Sequence, residues 1–237
     1  GPGDIPKGWA VYASVDHGLN NPTAWLWHAV SPTGDIVTFA EHYQSNMIVS
    51  EHAQLVKQRE LSWGRKPDSI ERMGDPAMRQ RSGITGTSII QEYALHGLYV
   101  NVEGIPHDVM VGIEKMQAYF RLRDDTRWGK NRPKWVISRN CANFIREMKK
   151  LRWGSYSSDK MAYEMNKQEV VHKKDDHAFD SARYFATTRP DLKPFVEAKG
   201  DEEPPTTLRY EDLLLKMRED PNVEFAEDKA DSNGTTV

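Results

Sequence analysis

The order in which strand-like and helix-like segments follow one another constrains this chain more than any other feature. Residues 9–15, 23–30 and 36–43 are three runs rich in β-branched and aromatic side chains, crowded into the first 43 positions. Their connections are short, and Pro32-Thr33-Gly34-Asp35 supplies a turn between the second and third. Parallel neighbours need a crossover of about a dozen residues or more, so these strands are predicted to pair antiparallel. From Ser50 onward the pattern changes. Ser50 is positioned to cap a helix carrying Ala53, Leu55, Val56 and Leu61. Strand-like residues 69–74 precede a helix over 87–96 that Gly97 ends; residues 98–102 precede a helix over 108–122; residues 135–137 precede a helix over 140–151. A last helix begins near Asp176, buries Ala178, Phe179, Ala182, Phe185 and Ala186, and must stop before Pro190. An antiparallel start followed by alternation predicts an α/β fold: a mixed sheet with helices on both faces.

The ends of the chain have a different character. Gly1-Pro2-Gly3 reads as a cloning remnant, and the natural chain is expected to begin earlier. Residues 4–199 are expected to form one domain and residues 200–237 an acidic, partly disordered tail. Within that tail, 200–205 is linker-like and 211–217 is a candidate short helix. Eleven acids against four bases give the tail −7, which leaves the rest of the chain at +4 within a net charge of −3. A mildly basic body is compatible with nucleic acid without demanding it. Residues 153–174 are polar and read as a hairpin or a loop. No apolar run approaches the roughly 18 residues of a membrane span, and the start does not resemble a signal peptide. The lone Cys141 excludes an internal disulfide framework and fits a reducing compartment.

Candidate chemistry centres on three acids. Asp16 ends the first strand run, Asp75 ends the run before Pro76, and Asp180 lies in the first turns of the last helix. If they converge, two unit charges about 4 Å apart repel by about 4 kcal/mol near a protein surface, and a divalent cation is the natural relief. Each acid also has a plainer explanation. Asp16 beside His17-Gly18 and Asp75 before Pro76 suit turns, and Asp176 suits a helix cap. Asp180 is harder to dismiss, because it borders the apolar stripe, where a carboxylate needs a partner. His177 and Asp176 share a helix face with Asp180; for His177, metal ligand and surface decoration are equally compatible with the spacing. No CxxC or HExxH suggests zinc, and no P-loop suggests ATP hydrolysis by that route. Cys141 reads as a small buried hydrophobe.

The segment Asp176-His-Ala-Phe-Asp180-Ser-Ala-Arg-Tyr184 resembles the closing motif of the C-terminal nuclease domain of tailed-phage terminase large subunits, Asp-His-Ala-x-Asp-Ala-x-Arg-Tyr. The order of other features agrees: Val15-Asp16-His-Gly18, Gly74-Asp75-Pro76, Gly112-Ile113 and a helix carrying Cys141. The likeness covers about residues 9–189. It implies a ribonuclease H-like fold and two divalent ions, Mg²⁺ or Mn²⁺, with Asp16 bridging both and Asp75 and Asp180 each completing one. His177 would be an accessory ligand, with Asp176 as its substitute. The implied activity is endonucleolytic cleavage of double-stranded viral DNA during genome packaging. Arg79, Arg81, Lys173 and Lys174 are close in sequence to the acids and are the candidates for DNA backbone contacts; solvated surface is the plainer explanation for each. Implied partners are an N-terminal ATPase motor domain, the small terminase subunit and the portal or procapsid, in the cytoplasm of an infected bacterium. The isolated domain is expected to be monomeric. Two alternatives remain: another ribonuclease H-like nuclease, such as a resolvase or transposase core, and a non-catalytic DNA-docking module.

Overall fold

The computed structural model describes residues 5–6, 8–65, 69–83, 86–106, 108–125, 129–150 and 176–188. The three early runs form β1 (Ala10–Asp16), β2 (Thr23–Val30) and β3 (Ile36–Gln44), paired antiparallel as expected. All eight residues of β2 are buried. Its sequence lacks polar alternation because a strand covered on both faces has no solvent side. There follow α1 (Val49–Ser62), β4 (Glu71–Gly74), a 3-10 turn (Pro76–Arg79), α2 (Ile89–Leu95), β5 (Val100–Asn101) and α3 (Val109–Phe120). The described chain continues with β6 (Arg123–Asp125), β7 (Gly129–Arg132), β8 (Trp135–Ile137), α4 (Ala142–Lys150) and α5 (His177–Thr188). One six-stranded sheet has the order β5-β4-β1-β2-β3-β8, with β4 parallel to β1, β5 parallel to β4 and β8 parallel to β3.

The two-residue period of the strands divides the core into two layers. Val11, Ala13, Val15, Trp25 and Trp27 face α1 and α2, where Val49, Ala53, Val56 and Tyr93 close the first layer. Leu26, Val30 and Ile36 face the other way, onto Ile113, Met116, Phe144, Phe179 and Phe185 of α3, α4 and α5. A polar chain crosses the floor of that second layer. Ser181 Oγ meets Ser14 Oγ at 2.9 Å, Ser14 Oγ meets His28 Nε2 at 2.9 Å, and His28 Nδ1 meets Thr38 Oγ1 at 2.9 Å. The indole N–H of Trp135 then donates to Thr38 Oγ1 at 2.8 Å. Phe185 stacks on the His28 ring with centroids 4.0 Å apart. Buried polar groups satisfied by one another allow few alternative registers, so this chain fixes α5 on the sheet.

Three local expectations are corrected. α1 begins ahead of Ser50, with Ile48 at the cap and its N–H donating to Glu51 Oε2 at 3.0 Å. Leu55 and Leu61 are 41% and 56% exposed, and the buried stripe is instead Val49, His52, Ala53, Val56 and Glu60. That stripe tolerates a carboxylate because Glu60 accepts from Trp27 Nε1 and pairs with the buried Arg72. The β6–β7 hairpin has no counterpart in the sequence pattern, since residues 123–132 are mostly charged or polar. Residues 1–3, the segment 153–174 and the acidic tail 200–237 lie outside the described residues. No helix among the described residues is long and apolar enough to cross a membrane.

Candidate active site

Val15 of β1 is level with Gly74 of the parallel β4. The acid is the next residue on each strand, so Asp16 and Asp75 leave the sheet side by side at its carboxyl edge. Gly74 permits this close approach, since a Cβ there would lie 2.8 Å from Val15 Cγ1 and 2.9 Å from Val100 Cγ1. Asp75 also serves its local turn: its Oδ1 accepts the Ala77 N–H at 2.8 Å. The turn explanation and the site explanation therefore hold together at this residue.

Alternation along β1 turns Tyr12, Ser14 and Asp16 toward α5. The first turn of α5 sits over Asp16, and His177 Nδ1 donates to Asp16 Oδ2 at 3.0 Å. One turn further, Asp180 is 9% exposed and its Oδ1 accepts from Arg183 Nε at 2.8 Å. Arg183 is itself buried, with its guanidinium 4.6 Å from the Tyr184 ring centroid. Its stem lies on Gly112 of α3, where a Cβ would come within 2.2 Å of Arg183 Cγ. The start of α5 is held from outside: Glu147 Oε2 of α4 accepts the Ala178 and Phe179 N–H groups at 2.7 and 3.0 Å. Those are the amides a local cap would take. Glu147 thus caps α5 from another helix, and the Asp176 main-chain carbonyl accepts the Asp180 N–H at 2.7 Å.

The acids share one electrostatic environment. Burial pushes the Asp16 pKa up, Asp180 and Asp75 push it further, and the bond from His177 opposes them. The His177 pKa is raised in turn, chiefly by that bond. Burial raises the Tyr184 phenol, and Asp16, Asp180 and Asp75 all add to the effect, so a single hydroxyl senses all three carboxylates. Burial works against charge on Arg183, but Asp180 outweighs it and keeps the guanidinium protonated. Among the described residues, no group of three or more His, Cys, Asp or Glu side chains is arranged to hold a metal ion. His177 and Arg183 supply the positive partners of Asp16 and Asp180. The donor chemistry nevertheless fits a hard divalent cation. It consists of carboxylate oxygens and one imidazole, and at Asp16 burial and the neighbouring carboxylates disfavour the charged form that a cation would favour.

The remaining candidates separate. Arg79, on the 3-10 turn after Asp75, is half exposed and pairs with Glu103 at 2.8 Å. Arg81 is exposed at a bridge to Ser88. Lys173 and Lys174 lie outside the described residues. His17 turns to the opposite face of the sheet, 3.1 Å from Tyr93 Oη, with its pKa pushed down to about 4 by burial and by His52. Cys141 is buried, and burial pushes its thiol pKa up, in keeping with a packing role. Sequence reasoning assigned no role to Arg183 or Glu147. The three-residue spacing from Asp180 was an available signal for Arg183. Glu147, within Arg-Glu-Met-Lys-Lys, reads as a solvated helix face and gave none.

The mixed six-stranded sheet with its helices matches terminase nuclease domains and is a ribonuclease H-like fold. Two solved structures are similar across most of this chain. The large terminase of a thermophilic bacteriophage, in complex with ADP, superposes with a TM-score of 0.58 at 18% identity, covering 78% of this chain and 41% of that one. The P22 large terminase nuclease domain superposes with a TM-score of 0.56 at 17% identity, covering 77% of this chain and 82% of that one. The chain thus has a terminase-like fold and spans about two fifths of the thermophilic phage protein. No protein-family profile matches the sequence, and no curated protein matches it.

Proposed function

We propose that this chain is the nuclease domain of a phage terminase large subunit, cutting double-stranded DNA with two divalent ions, Mg²⁺ or Mn²⁺. The observation that carries the reading is the shared field of Asp16, Asp75 and Asp180 around the carboxyl edge of β1 and β4. Those three acids would hold the ions, with His177 as an accessory donor. The chemistry such ions supply when bound is acidification of a water and stabilisation of charge on the leaving oxygen.

The protein's own groups prepare that chemistry. His177 orients Asp16 through its 3.0 Å bond, and Arg183 orients Asp180 at 2.8 Å. Arg79 and Arg81, beside Asp75, together with Lys173 and Lys174, would contact phosphates and position the duplex without reading its sequence. Binding should then weaken steeply as salt rises. In the packaging motor the domain would work beside an ATPase domain, a small terminase subunit and a portal or procapsid, inside an infected bacterial cell.

Incubation of supercoiled plasmid with Mg²⁺, Mn²⁺ or EDTA tests the proposal, with Asp16→Asn as control. The expected result is nicking and linearisation with either ion, abolished by EDTA and by the substitution. One observation favours a second reading, a DNA-docking module without catalysis: the cationic groups His177 and Arg183 already pair with two of the acids. Absence of cutting by the folded protein with both ions would favour that module.

A further inference from the structure

The structure assigns Glu147 as a positioning residue that sets where His177 and Asp180 stand relative to Asp16. The assignment rests on reading Asp16, Asp75 and Asp180 as ion ligands. Glu147 lies on α4, outside the acid cluster, and is 2% exposed. A carboxylate so deeply buried must be fully occupied to persist there. It is. Oε1 accepts the Tyr43 hydroxyl at 2.7 Å, and Oε2 accepts the Ala178 and Phe179 amides at 2.7 and 3.0 Å.

Those amides flank the functional positions. Ala178 follows His177, and Phe179 precedes Asp180, so one oxygen grips the turn of α5 that carries both. Tyr43 is on β3, one strand beyond the β1–β2 pair, so the grip ties α5 to the sheet through α4. The same turn is fixed on β1 from both sides of that grip, by His177 with Asp16 before it and by Ser181 with Ser14 after it. Without Glu147 the amides at the head of α5 lose their acceptor, and His177 and Asp180 can move together away from Asp16. α4 is held in the same manner: Glu41 of β3 accepts the Asn143 and Phe144 amides at 2.9 and 3.0 Å. Two remote glutamates therefore relay the position of the sheet to the helix that carries His177 and Asp180.

Calorimetric titration of Mn²⁺ into the wild type, Glu147→Gln, Glu147→Ala and Tyr43→Phe tests the assignment. Glutamine keeps an oxygen for the two amides and removes the charge; alanine removes both. The expected Kd rises about tenfold in Glu147→Ala, the low end for a group acting on ligands from outside. Glu147→Gln should stay within about threefold of the wild type, because the bond geometry and not the charge does the positioning. Equal weakening by both substitutions would overturn the assignment in favour of a charge effect. Unchanged Mn²⁺ affinity in Glu147→Ala, with a lowered Tm, would overturn it in favour of a purely structural role. If Glu147→Ala does not fold, Tyr43→Phe decides: a Kd raised clearly beyond about threefold supports the assignment, and one within that range overturns it. A wild type that binds no Mn²⁺ would sink the ion-ligand reading and this assignment together. Binding that is indifferent to Glu147 sinks the assignment alone.

Discussion

Gly112 decides where the Arg183 side chain can lie. Alanine is favoured over glycine inside a helix by about 1 kcal/mol. Here the added methyl would meet the Arg183 stem at 2.2 and 2.7 Å, and that side chain is pinned by Asp180 at one end and packed over Tyr184. Overpacking of this kind costs about 1–3 kcal/mol and outweighs the propensity gain. Gly112→Ala is therefore expected to lower stability by up to about 2 kcal/mol in urea unfolding, against the direction helix propensity alone would give. The acids themselves were legible in the sequence, because each falls where a strand run ends or a helix begins. The roles of Gly112, Arg183 and Glu147 were not. A glycine four residues into a helix looks like a weak helix position until its neighbour across the interface is known. A glutamate within Arg-Glu-Met-Lys-Lys looks solvated until the helix it caps is found 31 residues along the chain.

At the scale of elements, α1 meets the sheet through a polar seam. His42 Nε2 of β3 and His52 Nδ1 of α1 lie 2.9 Å apart, both buried. Burial, then His52 and Arg59, push the His42 pKa down to about 4. The folded state thus keeps His42 neutral, while the unfolded chain takes up a proton below its ordinary pKa of about 6.5. The stability from this group is complete above about pH 6.5 and drains as pH falls toward 4, at up to roughly 1.4 kcal/mol per unit. Thermal melts of the wild type and His42→Gln should show the wild type losing more stability between pH 7 and 4.5. A parallel decline in both proteins would mean that His42 does not drive the loss. The first three strands were readable from their β-branched and aromatic content, and the last helix from its apolar period. α1 was readable only as a helix, since its buried face includes His52 and Glu60, types normally assigned to solvent. Its exposed Leu55 and Leu61 misdirected the choice of face. The β6–β7 hairpin escaped detection because backbone pairing, not side-chain pattern, defines it.

The molecule as a whole is a mixed sheet whose central strands are covered on both sides. Antiparallel β1, β2 and β3 supply a rigid floor, and parallel β4 brings a second strand end level with the first. α5 closes over that pair of ends, anchored by Ser181 and Phe185 on the sheet and by Glu147 at its head. The antiparallel start followed from connection lengths; the order β5-β4-β1-β2-β3-β8 did not. The side-by-side placing of residues 16 and 75 required the register of β1 on β4, which no local pattern encodes. The central claim is that these three acids form a divalent-ion centre. Anomalous diffraction from crystals equilibrated with saturating Mn²⁺ tests it most directly. The account predicts two Mn²⁺ peaks bounded by Asp16, Asp75 and Asp180, lost in Asp16→Asn. An intact fold with no peak among the three carboxylates would contradict it.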